Sequence, residues 1–287
     1  MGQGMNNQIY SIGSTSFTTN KALWFLDAYH KCEAINTNPL WKLFLYSYNS
    51  FPKKLQNNIA IDNNIVMHFD TNKHEMTFGF QSEYDLINVF YNYPLQLMEL
   101  TNHRLLFHCG CFEFNGRYYL LSGESGVGKS TLLQALTKYG RLIADDTICL
   151  SMQDGSLYAS QCSPFYKTDA LSNDIYINSK GKTIKELIGY DANRYFPVES
   201  VYFIRRNDRN GGVIQSISGK IDKYQNILCN ICMIKKMDWT SRENLNISIM
   251  EQLTNISMFQ FVMINKLSAV TKNAVQLIDH ITHKGLQ

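Results

Sequence analysis

The spacing of apolar and polar positions divides the chain into two unequal stretches. Up to about residue 80 the apolar runs are short, at Ala22–Tyr29, Leu40–Tyr48, Ile59–Phe69 and Glu75–Phe80. Ile65-Val-Met-His-Phe69 and Met76-Thr-Phe-Gly-Phe80 flank the turn-like Asp70-Thr-Asn-Lys-His74 and predict a β-hairpin. Residues 1–80 read as a small α+β N-terminal region, with substrate recognition as the role left open for it.

Residues 81–287 carry longer and more regular patterns. Ser82 opens a helix with Asp85 as its capping partner and Leu86, Ile87, Phe90 and Tyr91 on one face, and Pro94 ends it. A further helical turn spans Leu95–Leu100. Cys109–Phe114 and Arg117–Ser122 then flank Asn115-Gly116, a pair that favours a two-residue type I′ hairpin turn. In that register Phe114 pairs with Arg117, and His108 lies opposite Gly123, roughly 5 Å away at the backbone. Leu132, Leu133 and Leu136 mark the buried face of a helix over Lys129–Tyr139, which Gly140 ends as a left-handed residue. Arg141–Ala144 is a short buried strand leading into Asp145-Asp146 and able to lie beside the strand that feeds the loop before it. Beyond it the pattern predicts a hairpin around Asp154-Gly155 and a second one pairing Ser200–Arg205 with Val213–Ile217. Helices over Asp222–Met237 and Arg242–Asn255, a strand Met258–Ile264 and a helix Ala269–His283 complete the chain.

Between the first hairpin and the leucine-rich helix stands Gly123-Glu124-Ser125-Gly126-Val127-Gly128-Lys129-Ser130-Thr131. It fills every fixed place of the G-x-x-x-x-G-K-[ST] phosphate loop, with an apolar strand before it and an amphipathic helix after it, the context such a loop requires. Lys129 is placed to neutralise the β- and γ-phosphates, Ser130 to ligate Mg²⁺, and Thr131 to serve structure. The chain therefore binds a nucleoside triphosphate. Asp145 and Asp146 return to this loop, where one carboxylate can hold magnesium and the other accept a hydroxyl proton. His108 is a candidate orienting or catalytic group, and Arg141, Arg205, Arg206 and Arg209 are candidates for phosphate or an acidic substrate. Ile264-Asn-Lys-Leu-Ser268 has the first two residues of a guanine-reading Asn-Lys-x-Asp but lacks the Asp, and reads as a strand end.

Composition narrows the partners. A formal charge of +3 over 287 residues, with no long basic run, gives no footprint for nucleic acid. No apolar stretch approaches the length of a membrane span and the N-terminus lacks a signal pattern, so a cytoplasmic protein with no membrane partner is expected. The seven scattered cysteines fit reduced thiols. Cys229-x-x-Cys232 has no second ligand pair, and Ile227, Leu228, Ile231 and Cys232 share an apolar helical face, which predicts core packing rather than zinc.

His108, fourteen intervening residues, Gly-Glu-Ser-Gly-Val-Gly-Lys-Ser, a leucine-rich helix, Gly140 and Arg-Leu-Ile-Ala-Asp-Asp together resemble the catalytic core of the HPr kinase/phosphorylase family over about residues 105–150. The resemblance implies a P-loop kinase core of the HPr kinase C-terminal-domain type, a mixed α/β sheet flanked by helices. It implies ATP and Mg²⁺ as cofactors and a serine of a protein or peptide as acceptor. Carried over by position, Asp145 is the base, His108 assists, Lys129 and Ser130 serve ATP and magnesium, and Asp146 is a supporting or metal-linked carboxylate. Thr131 stands where the family usually has Glu, and no Glu-x-Arg-Gly-x-Gly segment follows Asp146, which removes the signature of the phosphorylase reaction. In layout the chain is similar to the HPr-kinase-related enzymes of peptide natural-product clusters, including lasso-peptide precursor kinases. A nucleotide-sensing binding protein and a small-molecule kinase are the alternatives, and a homo-oligomer is left open.

Overall fold

The computed structural model describes residues 8–12, 15–21, 26, 28, 30–32, 40–52, 55, 59–62, 65–70, 72–82, 104–169, 182–191, 194–207, 211–231 and 247–284. The helix expected from Ser82 and the turn at Leu95–Leu100 fall outside them, as do Arg209 and Cys232.

The N-terminal strands are β1 (Ile9–Ile12), β2 (Thr15–Thr19), β3 (His30–Cys32), β4 (Leu40–Ser47), β5 (Ile59–Asp62), β6 (Ile65–Asp70) and β7 (Glu75–Phe80). They form one mixed sheet in the order β3-β1-β2-β4-β7-β6-β5. The expected hairpin is β6–β7, closing with Asp70 opposite Glu75. Trp41, Phe17 and Phe78 are fully buried on this sheet.

The second sheet belongs to the remaining chain. Its strands are β8 (Leu105–Phe107), β9 (Cys109–Phe114), β10 (Arg117–Ser122), β11 (Arg141–Ala144), β12 (Ile148–Gln153) and β13 (Ser156–Gln161). The small pair β14 (Phe165–Asp169) and β15 (Lys182–Glu186) stands apart, and β16 (Tyr195–Asn207), β17 (Val213–Ser216) and β18 (Ser257–Ile264) return to the main sheet. The described helices are α1 (Lys129–Leu136), α2 (Lys220–Asn230), α3 (Ile247–Asn255) and α4 (Val270–Lys284). The path runs β11-β9-β10-β16-β13-β12-β8, with β18 on the outer part of β16 and β17 beyond it. Since only His108 separates β8 from β9, the path returns to its own beginning, and the sheet is rolled. The long β16 bends across both halves, pairing β13 through Tyr195–Pro197 and β10 and β18 further on.

Strand alternation gives each face its own core. Leu120, Val201, Phe203 and Cys111 point to the side covered by Ile227 of α2 and Ile249 and Leu253 of α3. Tyr119, Leu121, Tyr202 and Phe261 point to the opposite side, against Leu132, Leu133 and Leu136 of α1 and Ala274, Leu277 and Ile281 of α4. This is the mixed α/β arrangement expected from the sequence, with helices on both faces. Among the described residues no helix is long and apolar enough to cross a membrane.

Four local expectations are corrected. First, β11 does not lie beside β10. The tight β9–β10 hairpin fills that edge, so β11 pairs with β9 instead. Second, β16 and β17 do not form a hairpin. β18 inserts between them, parallel to β16 and antiparallel to β17, burying its apolar Phe259, Phe261 and Met263. Third, α1 stops at Leu136, and Gly140 is not left-handed. Its role is close approach, since a Cβ there would sit 2.1 Å from the carbonyl oxygen of Glu113. Fourth, α2 turns Ile227 inward but leaves Leu228 and Cys229 exposed, so core packing does not explain Cys229.

Candidate functional site

The phosphate loop sits where β10 ends and α1 begins. Asn115 and Gly116 take φ of 51° and 74°, the left-handed pair a type I′ turn needs, and this fixes the register down to Cys109 opposite Ser122. The expected next pair, His108 with Gly123, does not form, because β8 turns away to pair with β12. The His108 N–H donates to the Asn230 carbonyl at 2.7 Å, and the Ser122 hydroxyl donates to the His108 carbonyl at 2.7 Å. Histidine is thus pinned at the corner of the roll by α2 and by the residue preceding the loop.

Within the loop, Gly128 has a φ of +101°, and a Cβ there would sit 2.6 Å from a guanidinium nitrogen of Arg206. Both the backbone and the arginine demand glycine. The Lys129 ammonium is buried and donates to the Gly123 carbonyl at 2.7 Å and the Glu124 carbonyl at 3.3 Å, crossing the base of the loop.

The two carboxylates lie just past β11. Asp145 is buried. Its Oδ2 accepts the Lys167 backbone N–H at 2.9 Å, and the Ser130 hydroxyl of the loop lies near enough to favour its charged form. Burial raises its pKa above the ordinary carboxylate range, and the negative Asp146 adds to this. The Lys167 N–H and the Ser130 hydroxyl pull the other way without cancelling it. Asp146 behaves oppositely. Burial works against its charge, but the His108 hydrogen bond and the positive charges of Lys167 and Lys129 outweigh it and hold the carboxyl well below the usual range. The contacts are His108 Nε2 to Oδ1 at 3.1 Å and Lys167 Nζ to Oδ2 at 3.4 Å. Gly110 of β9 permits the approach, since a Cβ there would meet Leu133 at 2.1 Å and the Asp145 carbonyl oxygen at 2.8 Å.

The structure therefore gathers His108, Lys129, Ser130, Asp145 and Asp146 at one end of the rolled sheet. Arg206 joins them over Gly128, and Arg205 lines the neighbouring cleft. Arg141 does not: it pairs with Glu113 at 3.0 Å. Lys167 was not foreseen. It comes from β14, in the stretch from Gln161 to Lys167 that reads in sequence as a loop after the Asp154-Gly155 hairpin, and no spacing rule connects it to Asp145. Ser122 was missed as well, because a serine ending a strand carries no signal of its own.

Beside the loop, the Ser130 hydroxyl and the Asp145 carboxylate are hard donors of the kind that suit Mg²⁺ together with phosphate oxygens and water. Both oxygens of Asp146 are already engaged, Oδ1 by His108 and Oδ2 by Lys167. Among the described residues no three His, Cys, Asp or Glu side chains converge as a metal cage of their own.

Two clefts flank the loop. One, of about 600 Å³, lies between Gly123–Val127, the end of β16 and α2, including the exposed Cys229 and the buried Asn230. The other, of about 270 Å³, lies on the opposite flank, between Gly128, Thr131, Arg206 and the end of β18.

No family model matches the sequence, and no curated protein matches it. Among solved structures, the HPr(Ser) kinase/phosphatase from Coxiella burnetii is similar at a TM-score of 0.36 and 15% identity, over 63% of this chain and 98% of that one. An overlap this loose carries nothing about activity, which has to be read from the site.

Proposed function

We propose that the protein is an ATP-dependent serine kinase acting on a peptide or small protein. The observation that carries this is the Asp145 carboxylate, buried beside the phosphate loop, raised in pKa and held by the Lys167 backbone N–H. A carboxylate whose pKa burial raises is a stronger proton acceptor than one in water. One held dry against the loop is placed to take a proton from a hydroxyl aimed at the γ-phosphate.

The loop N–H groups and the start of α1 hold the phosphates, and Lys129 neutralises the charge that spreads onto the γ-phosphoryl group. Ser130 and one carboxylate of the Asp145-Asp146 pair would hold Mg²⁺, which would supply further charge neutralisation at the phosphates. The serine oxygen forms its bond to the γ-phosphorus as the bond to the bridging oxygen breaks and ADP departs. The serine proton passes to Asp145. The Lys167 N–H fixes the Asp145 carboxylate, while His108 and the Lys167 side chain hold Asp146 in its charged form beside it.

The sequence resemblance to tailoring kinases of peptide natural-product clusters supports a peptide acceptor, and the missing Glu-x-Arg-Gly-x-Gly segment supports transfer without phosphorolysis. The test is intact-mass spectrometry of a serine-bearing peptide encoded beside the gene, incubated with the full chain, ATP and Mg²⁺. A gain of one HPO₃, absent with Lys129→Ala, is the expected result. ATP binding with no mass gain would favour a nucleotide sensor instead.

A further inference from the structure

A nucleoside triphosphate is a linear molecule with two different ends, and the loop has a cleft on each side. The reacting end belongs with Asp145 and Asp146. The larger cleft lies toward that end, since its lining residue Asn230 is the one that receives the His108 N–H. The opposite flank holds the smaller cleft, bounded by Gly128, Thr131, Arg206, Asn265, Lys266 and Val270.

That smaller cleft has the chemistry of a base site. Leu132 and Met263 give it buried apolar walls, with Ile264 and Val270 half-buried beside them. Asn265 and Lys266 give it an exposed polar rim, and Arg206 extends over Gly128 toward the phosphates. A flat heteroaromatic ring has apolar faces and polar edges, and such a lining matches both. The rim is also rigid. Asn273 of α4 accepts the Ile264 N–H at 3.1 Å and donates back to the Ile264 carbonyl at 3.2 Å, so the turn carrying Asn265 and Lys266 is clamped from both sides. The Lys266 N–H to the Ile264 carbonyl at 2.9 Å and the Ala269 N–H to the Lys266 carbonyl at 2.9 Å hold it further. A preorganised polar turn costs little ordering when a ligand docks on it.

We infer that the nucleoside of the bound triphosphate occupies this cleft, with its ring between Ile264 and Val270, its edge on Asn265 and Lys266, and its ribose and α-phosphate under Arg206. The assignment rests on the nucleotide reading of the loop. It gives the Asn265-Lys266 pair, a strand end by sequence, the work of reading the base.

The test is calorimetric binding of two ligands to the full chain: ATP with Mg²⁺, and inorganic tripolyphosphate, which has phosphates and no nucleoside. Lys266→Ala and Val270→Trp are expected to weaken ATP about tenfold, equivalent to about 1.4 kcal/mol, and to leave tripolyphosphate unchanged. Asn226→Trp, which fills the opposite cleft, is expected to leave ATP unchanged. The assignment is overturned if Lys266→Ala and Val270→Trp leave ATP binding intact, if they weaken both ligands equally, or if Asn226→Trp is the change that blocks ATP. A wild-type chain that binds neither ligand would sink the kinase reading along with it, whereas ATP binding indifferent to the cleft sinks the assignment alone.

Discussion

His108 Nε2 lies 3.1 Å from Asp146 Oδ1, joining the corner where β8 becomes β9 to the residues that follow β11. The contact crosses from the corner ahead of the β9–β10 hairpin to the residues after β11, so one hydrogen bond ties together chain segments on either side of the phosphate loop in sequence. The same carboxylate meets Lys167 on its other oxygen. Asp146 is therefore the hub of the site.

Replacing the hub should cost stability in a pH-dependent way. The folded-state pKa of Asp146 is depressed, so its contribution is present above the unfolded carboxylate range and is lost as pH falls through the folded value. Asp146→Asn should destabilise the protein by about 1–3 kcal/mol at neutral pH. The gap to wild type should close in strong acid, as read by denaturant titration at several pH values.

Asp145 should behave in the reverse sense. Its folded pKa is raised, so the fold is favoured where the group is protonated, and stability is lost as pH rises through that value. At neutral pH Asp145→Asn removes a buried charge while keeping shape, and its Tm should equal or exceed that of wild type. A clear fall in Tm would mean that the carboxylate is structural.

Gly140→Ala tests why that glycine is there. A Cβ would meet the Glu113 carbonyl oxygen at 2.1 Å, and forcing β11 away from β9 should cost about 1–3 kcal/mol by thermal or chemical denaturation. If the residue served only as a helix stop, the change would be nearly silent.

Gly128→Ala should damage nucleotide binding more than folding. The residue combines a φ of +101° with Arg206 packed against it, so a methyl group strains the loop and displaces the guanidinium together. Strain of about 1–3 kcal/mol expressed in the binding-competent loop corresponds to roughly tenfold or more in Kd for ATP.

Local features were legible in the sequence. Asn115-Gly116 and Asp154-Gly155 dictated their hairpins because the left-handed conformations at these pairs are set within the turns themselves. The phosphate loop and the leucine face of α1 followed from spacing, as did the β6–β7 hairpin. What failed was non-local. β18 displaced β17 from β16 although it lies some 40 residues further along the chain, and no pattern within Ser200–Ile217 announces it. His108 was correctly placed near the loop but by a ladder that stops one pair short. Its actual neighbours, Asn230 and Asp146, come from α2 and from beyond β11. Lys167 was unreadable as a site residue for the same reason, and Arg206 could be named only as one of four candidate arginines: their positions depend on how distant strands pack, and charged residues at strand ends are usually only solvated.

The central claim is that Asp145 accepts the serine proton. Its most direct test is the rate of phosphoryl transfer by Asp145→Asn at saturating ATP, with the ATP Kd measured on the same sample. The account predicts ATP binding close to wild type and transfer reduced by about 10²-fold or more. Transfer at the wild-type rate with ATP fully bound would contradict it.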